Sequence, residues 1–242
     1  MKGKFVVVDG LDGVGKGVFL DEFISEAIKQ GKRVFDANKY WQEKNEYPDV
    51  SEIIGNYGVV VTSEPTFVGV GKYIRDELIK NGKHYSPEAV AEAYALDRRI
   101  LYEQLVLPVL NAGIDVYQSR SFSTSIVYQK LMALEEGRDF SMEDILKIPG
   151  NAFCYQHPFD FLVMPTIMDV GEVIRRVEAR DKDDDCQFEN LDFQLKAKQI
   201  YDGEEFRNIF TRVGTDIKEM DAGKTLEHSK EQAREFYRTL LS

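Results

Sequence analysis

Cysteine is almost missing from this chain. Its two residues, Cys154 and Cys186, are far apart and form no CxxC spacing, which excludes a disulfide framework and a thiolate metal site. Both read as reduced. Histidine is nearly as scarce: His84, His157 and His228 share no local spacing, so neither a zinc site nor a nucleophilic triad has support. No apolar run approaches bilayer-spanning length, and Met1 leads almost directly into the first apolar segment, leaving no room for a signal peptide. The expectation is a cytoplasmic protein with no membrane partner. Positive charge is also short. With 31 Lys and Arg against 42 Asp and Glu, the net charge is -11, which argues against a general nucleic-acid surface. Any phosphate binding then rests on a few local cations.

What is present is a globular composition, 43% hydrophobic and 30% charged over 242 residues, enough to bury a core as a single domain, 1–242. The stretch Lys4 to Val18, KFVVVDGLDGVGKGV, orders the rest. An apolar run from Phe5 to Val8 precedes Gly10, Leu11, Asp12, Gly13, Val14, Gly15, Lys16, Gly17 and Val18, and an amphipathic segment follows to Ile28. That is a strand, a glycine-rich turn and a helix. Such a turn points backbone N–H groups at a phosphate, the helix N-terminus adds positive potential, and Lys16 supplies a mobile charge. The pattern ends in Gly17, where a Ser or Thr hydroxyl would ligate Mg2+. Phosphate binding survives that change; metal binding is left open.

Further apolar runs at Gly58 to Glu64, Ile114 to Gln118, Phe161 to Met164 and Ile217 to Met220 alternate with helical patterns, and Arg33 to Ala37 reads as a short strand. Helices are expected over Tyr73 to Ile79, from Pro87 with Ser86 as cap, and over Thr124 to Glu135, Ser141 to Ile148, Gly171 to Arg180, Asp192 to Ile209 and Ser229 to Leu241. The polar and aromatic segment 38–57 has no clean period and reads as an insertion at the molecular edge. The expected fold is α/β, a central parallel sheet of about five strands with helices on both faces. Four groups then gather at the C-terminal strand ends, Asp9 to Lys16, Thr62 to Pro65, Ser119 to Ser121 and the segment after Met164.

Taken in order, these motifs resemble the thymidylate kinase family, within the P-loop nucleoside and nucleotide kinase group. DGLDGVGKG resembles its phosphate loop, with Asp12 at the sugar hydroxyl of the monophosphate; Glu64-Pro65 resembles its Glu-Pro turn. Tyr94 with Asp97-Arg98 resembles the segment that stacks on and hydrogen-bonds thymine. Arg120, Thr124, Ser125, Tyr128 and Gln129 resemble the following substrate segment, and Arg175, Arg176 and Arg180 fall in a mobile lid, about 170–190. The resemblance implies a P-loop kinase fold, ATP as phosphate donor, Mg2+, a nucleotide acceptor and a homodimer. Lys16 would serve the donor phosphates, Arg75 and Arg120 would clamp the acceptor, and Arg176 and Arg180 would cover the transferred group. Ser119 and Ser63 stand where the family has aspartate and arginine, leaving Asp9, Asp12 and Glu64 as the remaining acids for a metal.

Spacing alone also allows plainer roles: Tyr94 as packed core, Arg75 as surface, and Arg176 with Arg180 as a solvated helix pair. Asp181, Asp183, Asp185 and Asp192 imitate a calcium loop, but Cys186 occupies the position that needs glycine. Two other functions stay open. One is a deoxynucleoside kinase with Glu64 as base for a 5'-hydroxyl; the other is a nucleotide-binding protein with impaired catalysis.

Overall fold

The computed structural model describes residues 2–178, 188 and 190–241. The chain runs β1 (Phe5–Val8), α1 (Lys16–Lys29), β2 (Val34–Asp36), α2 (Ala37–Lys44), α3 (Val50–Ile53), β3 (Val59–Ser63), α4 (Gly69–Tyr73) and α5 (Pro87–Leu101). It continues with α6 (Leu107–Asn111), β4 (Asp115–Ser119), α7 (Phe122–Glu135), α8 (Met142–Lys147), α9 (Pro149–Tyr155) and β5 (Phe161–Thr166). Last come α10 (Val170–Glu178), α11 (Leu191–Tyr201), α12 (Glu204–Thr211), β6 (Asp216–Asp221) and α13 (Leu226–Phe236). Wider π-helical turns extend α4 (Ile74–Leu78), α5 (Tyr102–Val106) and α13 (Tyr237–Leu241).

The strands form one parallel sheet in the order β2-β3-β4-β1-β5-β6. All four residues of β1 are buried, as a strand covered on both faces requires. Tyr117 of β4 meets Phe23 of α1 edge-on at 6.1 Å. Its neighbour Gln118 reaches Glu64 at 2.9 Å, and Glu64 in turn pairs with Arg98 of α5. Adjacent strand residues point to opposite faces, so α1 and α5 cover opposite sides of the sheet. Because the strands are parallel, Asp9, Glu64 and Arg120 emerge together at the C-terminal edge. There β1 lies between β4 and β5, and crevices form at such places in open α/β sheets.

The expected short strand near residue 34 pairs with β3 and edges the six-stranded sheet, while two expectations change. Segment 38–57 is not a featureless edge but contains helical structure from α2 and α3. Asp36 caps α2 by accepting from the amides of Asn38 and Lys39, at 3.0 and 3.2 Å, and Asp49 caps α3 through Ser51 at 2.9 Å. Trp41 is 0% exposed and joins the core. Both helices are too short to show a helical period in the sequence. Finally, the expected single helix over Asp192 to Ile209 is two, α11 and α12, broken before Glu204 where Gly203 takes an extended conformation. Residues 179–187 and 189, including Arg180, Asp181, Asp183, Asp185 and Cys186, lie outside the described residues.

Candidate active site

The loop after β1 is shaped by Gly10, Gly13 and Gly15, whose φ angles of 139°, 86° and 103° suit glycine far better than any other residue. Gly15 caps α1 without a side-chain bond, so the first amides of that helix remain available to a ligand. Leu11 and Val14 turn their side chains into the core, and what they offer a phosphate is main chain only. Lys16 folds back across the loop, donating to the carbonyls of Gly10 at 3.0 Å and Leu11 at 2.7 Å, with Asp12 Oδ1 at 3.8 Å. An ammonium held by carbonyl oxygens exchanges them readily for phosphate oxygens.

Two acids behind the loop are committed to protein donors. Asp9 accepts from the Gly10 amide at 2.7 Å, from the Thr124 hydroxyl at 2.8 Å and from Ser123. Asp12 is ion-paired with Arg120 and accepts from the Tyr128 hydroxyl at 2.9 Å. Arg120 follows β4 with a left-handed φ of 66°, and its guanidinium lies 5.6 Å from the Tyr128 ring centroid.

Sequence reasoning missed Gln194. It is 0% exposed, takes the Asp12 amide at 3.0 Å, and reaches the Tyr128 hydroxyl at 3.3 Å and the Phe188 carbonyl at 3.0 Å. A usable signal existed: a glutamine shares the buried stripe of α11 with Phe193, Ala197 and Tyr201.

On the other side of the crevice, Arg98 is 1% exposed. It donates to Glu64 at 2.6 Å, to Ser125 at 3.1 Å and to Asn151. Glu64 also accepts from Gln118 at 2.9 Å. Burial pushes the Glu64 carboxyl up to about 7, against the opposing pull of Arg98. Arg75 clasps the turn after β3, donating to the carbonyls of Pro65 at 3.0 Å and Thr66 at 3.2 Å while stacking 3.8 Å over Phe67. The turn is held tightly on its own account. Asp97 accepts from the Thr66 amide and hydroxyl at 2.8 and 2.7 Å, and a Cβ on Gly71 would lie 2.3 Å from Thr66 Oγ1.

One cleft of about 790 Å³ joins both sides. Asp12, Lys16, Gly17, Glu64, Arg75, Tyr94, Arg120, Thr124 and Tyr128, all candidates from the sequence, line it; so do Trp41, Gln42 and Asn45, which were not candidates. Arg98, Ser125 and Gln129 stand behind this lining, buried. Arg98, expected beside the base, directs its donors to Glu64, Ser125 and Asn151. Arg176 lies elsewhere, on a smaller cleft of about 260 Å³ across the phosphate loop, with Gly13, Gly15, Val18 and Lys224. It donates to the Ala222 carbonyl at 3.0 Å and to Glu172 at 3.2 Å.

Comparison with known proteins gives the family. A family model described as Thymidylate kinase matches residues 51–232. The chain belongs to the thymidylate kinase family. A thymidylate kinase of Caldicellulosiruptor saccharolyticus is 27% identical over 243 residues, covering 100% of this chain and 98% of the relative. A probable thymidylate kinase of Pyrococcus abyssi is 30% identical over 206 residues, covering 83% and 82%. The solved thymidylate kinase of Candida albicans superposes with a TM-score of 0.62 at 19% identity, over 98% of this chain and 92% of that one, a likeness of fold.

In this member of the thymidylate kinase family, three positions singled out from the sequence line the crevice. Gly17, Ser63 and Ser119 all face the larger cleft. A Cβ on Gly17 would meet nothing within 4 Å, so a hydroxyl residue there is excluded by composition and not by space. The described residues form no all-protein cage for Mg2+, an ion that phosphate oxygens, water and one or two carboxylates can hold. Among the described residues no group of three or more His, Cys, Asp or Glu side chains could hold a metal. Asp9, Asp12 and Glu64 each serve protein donors instead. No helix among the described residues is long and apolar enough to cross a membrane.

Proposed function

We propose that this protein transfers the γ-phosphate of ATP to dTMP, giving dTDP. The observation that carries the reading is a single cleft in which Lys16, at the mouth of the phosphate loop, shares walls with Arg75, Arg120 and the Tyr94 ring. The loop amides and the α1 N-terminus take the donor phosphates, and Lys16 exchanges its carbonyl partners for their oxygens. Arg75 and Arg120 hold the acceptor phosphate in line with the donor, each presenting a planar fork that suits paired phosphate oxygens. Tyr94 offers its ring to the base, and Asp12, with Tyr128 and Thr124, borders the sugar. Arg98 acts through Glu64 and Ser125 by shaping the wall behind the base.

The acceptor is already anionic, so no residue need remove a proton. Positioning and charge neutralisation carry the rate. Glu64 has both oxygens engaged by Arg98 and Gln118, which speaks against its use as a base on a nucleoside hydroxyl. Arg176 lies beside Gly13 and Gly15 and serves the donor side; Arg180 is assigned to the same cover on sequence grounds. ATP is the phosphate donor, and no step is routed through a protein-bound metal.

The test is product formation from ATP with dTMP or thymidine. dTDP from dTMP, with thymidine left unreacted, is the expected result. Turnover of thymidine with dTMP untouched would refute the reading.

A further inference from the structure

Part of the acceptor cleft is built by α2, the helix in the segment that sequence reading set aside. Trp41, Gln42 and Asn45 line the same cavity as Tyr94 and the cations Lys72, Arg75 and Lys80. Three observations tie this helix to acceptor binding. Trp41 is fully buried yet lines the cleft, and its indole Nε1–H has no hydrogen-bond partner among the described residues. A buried donor in that state is unfavourable, and an indole N–H can only donate. The side-chain amides of Gln42 and Asn45 are exposed at the cleft and make no hydrogen bond to the described residues. The base of the helix is also linked to the phosphate side: Asn38 accepts from the Ser63 hydroxyl at 2.7 Å, and that hydroxyl takes Arg75 at 3.4 Å.

Charge separates the two walls. Across the cavity Lys72, Arg75 and Lys80, with Asp76 among them, suit a phosphate, whereas the α2 lining presents two neutral amides, Gln42 and Asn45, beside the buried Trp41. An amide carries both a donor and an acceptor, the complement of a ring carbonyl, a ring N–H or a sugar hydroxyl. Resting on the phosphoryl-transfer reading above, we propose that the Trp41–Asn45 face of α2 is a specificity wall. It reads the uncharged nucleoside part of a nucleoside monophosphate while the opposite cations hold the phosphate.

Trp41 is the only tryptophan of the chain, so its emission reports on this wall without a label. Titration of the full chain with dTMP should change that emission saturably, while inorganic phosphate alone should leave it unchanged. Gln42→Ala and Asn45→Gly should each raise the dTMP midpoint about fivefold, the value of one neutral hydrogen bond. The glycine keeps the left-handed φ of 53° at position 45. In steady state the KM for dTMP should rise by the same factor, with kcat and the KM for ATP unchanged. Silent emission in the wild type would overturn the proposal, as would an unmoved dTMP midpoint in both variants or an equal rise in the KM for ATP. The titration needs no turnover. A wild type that binds dTMP with these shifts yet forms no dTDP would refute the proposed function and leave the specificity wall standing.

Discussion

Replacing Arg98 by methionine tests how this site is held. The guanidinium and the Glu64 carboxylate lie 2.6 Å apart with side chains 1% and 2% exposed. Removing one partner of such a pair leaves the other charge buried, a loss of about 3–5 kcal/mol. In a chain of this size each kcal/mol moves the melting temperature by about 2–4 °C, so Arg98→Met should lower it by roughly 6–20 °C. Protonation of the orphaned Glu64 limits the damage, because burial already raises that carboxyl to about 7 with Arg98 present. Loss of the donors to Ser125 and Asn151 adds to it. Glu64→Gln combined with Arg98→Met removes the buried charge altogether, and much of the stability should return. Urea denaturation of the two single variants and the double variant forms the cycle. The expected coupling exceeds about 2 kcal/mol. A loss below about 1 kcal/mol for Arg98→Met, or additivity within about 0.5 kcal/mol, would refute the reasoning.

Glu64 itself makes stability depend on pH. Its folded-state value of about 7 lies above the ordinary 4.5, so its contribution is complete below about 4.5 and is lost as pH rises through 7. The unfolding free energy of the wild type minus that of Glu64→Gln should therefore fall by on the order of 3 kcal/mol between pH 4 and 8; a rise would contradict the assignment. Lys16→Met should reduce phosphoryl transfer at least about a hundredfold while unfolding shifts by no more than about 2 kcal/mol, as read by kcat and thermal denaturation. Near-normal turnover would remove Lys16 from the donor site. Gly17→Ser has open space for its side chain and should stabilise α1 by about 0.5 kcal/mol while lowering the Mg2+ concentration needed for half-maximal rate. An unchanged Mg2+ titration would count against the missing hydroxyl.

Much of the donor side was legible before any coordinates. The glycines at 10, 13 and 15 mark a loop whose backbone itself binds phosphate, and a buried β-branched run before it marks a central strand. Ser86 at the cap of α5 accepts from Ala89 at 3.2 Å, and Gly31 ends α1 with a φ of 81°, because both devices act within a few residues. The acceptor side was legible only as a set of residue types. Tyr94 and Arg98 are one helical turn apart, yet Tyr94 lines the cleft and Arg98 stands behind it.

The sequence by itself determined the alternating strands and helices, the phosphate loop and the collection of polar groups at one sheet edge, since these follow from local period and backbone freedom. Tertiary structure alone decided which side chains those groups present to the cleft. Glu64 meets Arg98 across 34 positions, and Gln194 meets Asp12 across 182, partnerships that no local pattern encodes. It also brought α2 to the wall of the cleft. An eight-residue helix is too short to show a period, and it is held there by the burial of Trp41, a contact that exists only once the sheet edge has formed.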